Sequence, residues 1–256
     1  MQQYPKKPIQ DTDVSPVVLP EKDALPLLQS GEIKGGHRIP WGSNYTFLVR
    51  LDAGPGRYLR AIYKPREGER PLHDFPQGTL YKREYLSYLL SRTLGWPDIP
   101  LTLTREGPYG IGSMQLYIEY NPEVTYFDLI DKRPHELQQF AVFDLLVNNA
   151  DRKAGHCLLG NDGRIWSIDH GLTFHSMVKL RTVMLEFWDQ PIPKVLLDDI
   201  ETLLIGLESP NILASQLVEM LTSQETDAMM MRINDILNNP ILPPLDPYQN
   251  TPWPWV

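Results

Sequence analysis

From Pro134 to Asn149 the chain is apolar on most faces of a helix, with Phe140, Ala141, Phe143, Leu145, Leu146 and Val147 spread around the axis. A helix apolar nearly all round has no face to offer water, so it predicts a central, buried element with a domain built around it. The 256 residues suffice for such a domain. At this length roughly 70–75% of the unfolded surface can be buried, and no disulfide or metal is needed to hold a core. A 42% apolar share with 22% charged residues excludes wholesale disorder. Apolar runs such as Phe140–Val147 and Val195–Leu197 fall well short of the roughly 20 residues of a membrane-spanning helix. No apolar stretch follows Lys6 and Lys7 to make a signal peptide. The single cysteine, Cys157, cannot form an internal disulfide and fits a reducing compartment. A soluble, cytoplasmic protein without a transmembrane segment is expected.

Charge narrows the partners. Lys and Arg number 24 against 32 Asp and Glu, for a net charge of −8. That balance gives no field for a phosphate backbone, so nucleic acid is not expected as a partner. A small anionic ligand is compatible, because a local cationic pocket or a bound divalent cation can hold phosphate inside an acidic protein.

Proline divides the chain. There are 24, against about 13 at average usage, and they crowd both ends. Residues 1–39 and 240–256 therefore read as Pro-rich extended segments, docked or loose, with Trp253 and Trp255 suggesting that the tail docks. Between them, alternation over Tyr45–Leu51 and Tyr58–Lys64 around Asp52-Ala-Gly-Pro-Gly56 predicts a β-hairpin. Thr79–Leu94 has helical spacing and stops at Gly95-Trp-Pro97, and short strands fit Leu101–Arg105 and Ser113–Tyr120. After Asn121-Pro122 come a short helix at Thr125–Ile130, the buried helix, a hairpin around Gly160-Asn-Asp-Gly163, and helices over 193–206, 209–222 and 224–238. The expected fold is α+β and two-lobed, with a β-rich N-lobe over 40–120 and a mainly helical C-lobe over 121–239.

Four pieces carry chemistry: Gly42-Ser43-Asn44 before the first hairpin strand, Lys64 ending the second, Asn148-Asn-Ala-Asp151-Arg-Lys-Ala-Gly-His156 after the buried helix, and Ile168-Asp169-His-Gly171 after the second hairpin. Singly each is an ordinary turn or helix end; their order is informative. A β-lobe lysine, a helix with a glutamate (Glu84), a loop Asp151 and a later Asp169 is the sequence of parts that kinase-type phosphoryl transfer requires. Asp151 and His156 stand five positions apart, as do the Asp and Asn of the kinase loop D-x-x-x-x-N, and Asp169 precedes Gly171 as in Asp-Phe-Gly.

Taken together, Ala61-Ile-Tyr-Lys64-Pro65, Gly112-Ser-Met-Gln-Leu-Tyr-Ile-Glu119, Asn149-Ala-Asp151-Arg152 and Ile168-Asp169-His-Gly171-Leu-Thr-Phe174 resemble the phosphatidylinositol 3-/4-kinase-like superfamily. The nearest likeness is to its type II phosphatidylinositol 4-kinase branch and compact actinobacterial relatives, over about residues 40–190. The resemblance implies a kinase using ATP and Mg²⁺ or Mn²⁺. Lys64 would pair the α/β-phosphates, with Glu84 holding Lys64, although Glu67 and Glu69 are nearer in sequence. Asp151 would accept the proton of the attacking hydroxyl, and Asp169 would ligate the cation. Glu119 and Tyr120 would bind adenine through backbone groups, and Gly42, Ser43 and Asn44 would cover the phosphates.

Two departures matter. His156 stands where the family has Asn or Asp. If its ring points into the site it would favour manganese and be cationic below about pH 6.5. No Ala-Pro-Glu follows Gly171, which argues against an ordinary eukaryotic protein kinase and leaves the acceptor open between a small molecule, a lipid headgroup and a protein Ser/Thr. A nucleotide-binding pseudokinase acting as a regulatory module is the alternative. Cys157 reads as a buried structural thiol.

Overall fold

The computed structural model describes residues 14–40 and 44–255. The N-terminal part contains β1 (Ser15–Val17), α1 (Glu21–Ser30), β2 (Ile33–Arg38), β3 (Phe47–Asp52), β4 (Arg57–Pro65), α2 (Leu80–Leu94), β5 (Thr102–Gly107) and β6 (Gly110–Leu116). The strands form one sheet in the order β2-β3-β4-β6-β5, with β1 pairing in parallel with the start of β4. Burial along β4 alternates: Leu59, Ala61 and Tyr63 face the lobe's core, whereas Arg60, Ile62 and Lys64 face the other way. That period of two aims Lys64 out of the core and into the cleft. Gly112 of β6 lies opposite Pro65, and a Cβ there would stand 2.4 Å from the Lys64 carbonyl oxygen, so only glycine lets the two strands close beside the lysine.

The C-terminal part holds α3 (Tyr126–Leu129), α4 (Pro134–Val147), the hairpin β7 (Cys157–Leu159) and β8 (Ile165–Ser167), and α5 (Lys194–Leu207), α6 (Ile212–Met220) and α7 (Ser223–Asn238). As the apolar pattern requires, α4 is its axis: Phe140, Ala141, Phe143 and Leu146 are at most 1% exposed and pack with Ile200 of α5 and Ile233 of α7. The architecture is α+β and two-lobed, β-rich then helical.

One boundary differs from the sequence reading. Residues 1–39 were expected to be an extended Pro-rich segment, but β1, α1 and β2 belong to the N-lobe. Ala24 and Leu28 of α1 are fully buried against Leu51, Leu59 and Met114. Arg105 of β5 donates to the Leu28 and Gly31 carbonyls at 2.9 and 3.1 Å, satisfying the end of α1. This packing outweighs the roughly 3 kcal/mol that Pro26 costs inside a helix. α2 packs on β5 and β6 of the N-lobe and also sends Leu86, Leu90 and Leu94 into the C-lobe core. The tail runs back along the body. It is held by backbone hydrogen bonds from Asp189 to Leu242, Thr182 to Asn250 and Ala154 to Trp255, while Trp253 is 84% exposed.

Candidate active site

The cleft between the lobes is lined by Asn44, Lys64, Glu84, Asp151, Asp169 and Gly171, among others. Lys64 Nζ lies 2.5 Å from Glu84 Oε1 and 3.0 Å from Asp169 Oδ1. The other oxygen of Glu84 accepts the His170 N–H at 3.1 Å. Glu84 is therefore the lysine's partner among the glutamates near it. Glu67 pairs with Arg66, and Glu69 caps the start of α2 by accepting the Tyr81 N–H at 3.0 Å. Burial would discharge the Lys64 ammonium, but Asp169 and Glu84 more than reverse this and hold it above the ordinary lysine range. Burial likewise pushes against the Asp169 charge, and Lys64 with His156 overcomes it, keeping that carboxyl well below the usual range.

The loop that presents Asp151 is built by polar residues at the end of α4. Asn148 adopts φ +54, a left-handed conformation that asparagine tolerates, and so stops the helix. Asn149 Oδ1 then accepts the Asp151 N–H at 3.0 Å, and its amide donates to Asp144 at 2.8 Å. Asp144 receives Arg152 at 2.7 and 2.8 Å through both oxygens, and neither side chain is exposed. Arg152 continues to the carbonyls of His156 and Ile168 and to His170 Nε2, joining the Asp151 loop to both hairpin strands. Asp144→Ala leaves this guanidinium buried without its counter-ion, so a loss of about 3–5 kcal/mol is expected in urea or thermal unfolding. A loss under 1 kcal/mol would contradict this account. Asp144, Arg152 and Arg83 had no role in the sequence reading, although a lone Asp in a helix apolar on every side already signals a buried partner.

Asp151 is partly buried, with Lys153 Nζ 3.4 Å away. Burial raises its pKa to about 6, against the opposing pull of Lys153. His156 points into the cleft: Nε2 is 3.4 Å from Asp169 Oδ2, and Nδ1 accepts the Lys153 N–H at 3.4 Å. That acceptor role assigns the ring proton to Nε2, facing Asp169. Burial lowers the pKa of His156 to about 4 despite Asp169, so the ring stays neutral well below the pH of about 6.5 expected of an unperturbed imidazole. Cys157 is fully buried, with its thiol pushed up to about 12 by burial.

The expected nucleotide contacts fare unequally. Gly42 and Ser43 lie outside the described residues. Asn44 lines the cleft while its side-chain oxygen accepts the Arg70 N–H at 2.8 Å. The Glu119 carbonyl, expected to meet adenine, already accepts the Asn161 N–H at 2.8 Å, and its carboxylate pairs with Arg60. Tyr120 bridges Gly160, and the flanking bonds through Glu119 and Asn121 turn the backbone groups of Tyr120 away from the hairpin.

This two-lobed fold is that of the protein-kinase-like class. Two solved structures resemble the chain: the Golgi casein kinase with Mn/ADP bound (TM-score 0.50, 15% identity, 85% of this chain and 74% of that one) and the Fam20 of hydra with sugar (TM-score 0.50, 16% identity, 84% and 87%). Protein Rv2133c of Mycobacterium tuberculosis is 36% identical over 267 residues, covering 91% of this chain and 95% of that protein. The chain belongs to the Rv2133c family. No protein-family model matches it.

Proposed function

We propose that the chain is an ATP-dependent kinase that transfers a γ-phosphate to a hydroxyl acceptor. The observation that carries this is the convergence of Lys64, Glu84 and Asp169 within 3.0 Å contacts, with Asp151 in the same cleft. Lys64 would hold the α/β-phosphates, and Glu84 keeps its ammonium directed at them. Asp151 would orient the acceptor hydroxyl and take its proton. Tyr120, whose backbone groups point away from the hairpin, would offer them to adenine as the hinge residue. Lys64→Ala is expected to abolish the thermal shift given by ATP, which in the native protein corresponds to about 2.7 kcal/mol at 100 times the dissociation constant. An undiminished shift would remove Lys64 from the nucleotide site.

A divalent cation fits the donors present. The Asp169 carboxylate is 48% exposed and lines the cleft with Asp151, and His156 Nε2 lies 3.4 Å from Asp169 Oδ2. Among the described residues no three His, Cys, Asp or Glu side chains converge to hold an ion alone, so phosphate oxygens would complete the shell. Mg²⁺ or Mn²⁺ would neutralise charge on the transferring group. Asp169 would hold it, and His156 would join only with its proton on Nδ1, as an imidazole better suited to manganese. That same proton on Nε2 is what favours the second reading, a pseudokinase. Binding of ATP without transfer to any acceptor would select it.

The acceptor class rests on the finer resemblance to phosphatidylinositol 3-/4-kinases and is a screen's question: γ-phosphate transfer to lipids, metabolites and protein extract. No helix among the described residues is long and apolar enough to cross a membrane. A cytoplasmic site of action, with a small-molecule or protein acceptor, is our reading.

A further inference from the structure

α2 carries two adjacent charged residues that are both buried, Glu84 at 3% and Arg83 at 1% exposure. Neighbours on a helix point about 100° apart, so the two serve different partners. Glu84 reaches Lys64 and the His170 N–H, as described. Arg83 turns into the C-lobe. Its Nη1 donates to the Thr173 carbonyl at 2.5 Å, Nη2 to Glu225 Oε1 at 2.5 Å and Nε to Thr79 Oγ1 at 3.3 Å. Its guanidinium carbon also lies 5.1 Å from the centre of the Phe75 ring. Glu225 is itself fixed by the capping box of α7, where it accepts from the N–H and hydroxyl of Thr222 at 2.9 and 3.0 Å.

One turn along α2, Ser87 Oγ lies 3.4 Å from Thr173 Oγ1, which donates to the His170 carbonyl at 2.8 Å. The segment from His170 to Thr173 is thus bonded to α2 at both ends, by Glu84 and by Arg83. Leu86, Leu90 and Leu94 bury one face of the helix and set its rotation coarsely, because apolar contacts are non-directional. A planar guanidinium bonded on several sides does fix it. The rotation matters, since a shift of about 1 Å in a supporting element can cost on the order of 10²-fold in rate.

We propose, resting on the kinase reading above, that Arg83 is a positioning residue: it locks α2 to α7 and to the His170–Thr173 segment so that Glu84 is held in place for Lys64. The test is the pair Arg83→Met/Glu225→Gln, which removes both buried charges while glutamine can keep the capping box. This variant is expected to melt near the wild type yet to transfer phosphate with kcat lower by on the order of 10²-fold and a smaller change in KM for ATP. Arg83→Lys, which keeps a charge for Glu225 but not the full set of contacts, should fall between. Without nucleotide, hydrogen–deuterium exchange over residues 168–174 should rise in the pair variant, while exchange in β3 and β4 stays as in the wild type. Wild-type kcat and unchanged exchange in the pair variant overturn the proposal; so does a loss of rate that only tracks a loss of folded protein. A wild type that transfers no phosphate counts against the kinase reading instead, and the exchange comparison then decides on Arg83 alone. If the pair variant does not fold, Arg83→Lys carries both measurements.

Discussion

Asp169→Asn is expected to reduce phosphoryl transfer by about 10³-fold or more while leaving the protein folded. The side chain is half exposed to the cleft and supports no core; its contacts are Lys64 at 3.0 Å and His156 at 3.4 Å. On the proposed function, losing the carboxylate removes the anchor for cation and phosphates without opening a cavity. Asparagine is the cleaner replacement because Asp169 sits at φ +62, where asparagine is at home and alanine is strained by about 1–2 kcal/mol. Alanine should abolish transfer too, with a lower melting temperature. Transfer is read with labelled ATP and folding by circular dichroism. Turnover in Asp169→Asn comparable to the wild type would sink the assignment of the cleft as a kinase site.

Why this cleft could be seen in the sequence, and where that view failed, has a physical basis. Lys64, Asp151 and Asp169 were legible because each stands at a punctuation point, where a strand or buried helix ends and the backbone must turn. Glu84 rests on the family resemblance alone, because spacing does not separate it from Glu67 and Glu69 and the choice depends on where α2 packs. Its leucines go to the C-lobe, and this brings Glu84 onto His170. The prolines of residues 1–39 misled for a related reason. Local propensity favours extended chain there, but Ala24 and Leu28 bury against the core face of the sheet. The Glu119 carbonyl was lost to a contact with Asn161, some forty residues on, that no local pattern encodes.

Burial sets the working range of Asp151, and this gives the second large effect. Its pKa is raised to about 6, so the carboxylate form, which would accept the proton in the proposed reaction, predominates only above that pH. Transfer should rise with pH through about 6 and level off above it. His156, neutral above about 4, adds no limb in that interval. Asp151→Asn removes the proposed base and should lower kcat by on the order of 10²–10⁴-fold, with the residual rate free of the step near pH 6. The same substitution should stabilise the protein. A carboxyl whose folded pKa lies above its unfolded value makes folding less favourable at every pH where it is ionised in the unfolded chain, and the penalty is complete above about 6. The amide carries none of it, so Asp151→Asn should melt higher than the wild type at pH 7.5, and its advantage should shrink as pH falls from 6 toward 4. A gain in stability that accompanies loss of rate is what a functional charge held in a buried place implies. An Asp151→Asn protein that melts lower at pH 7.5 than at pH 4.5 relative to the wild type would show that this carboxylate is structural.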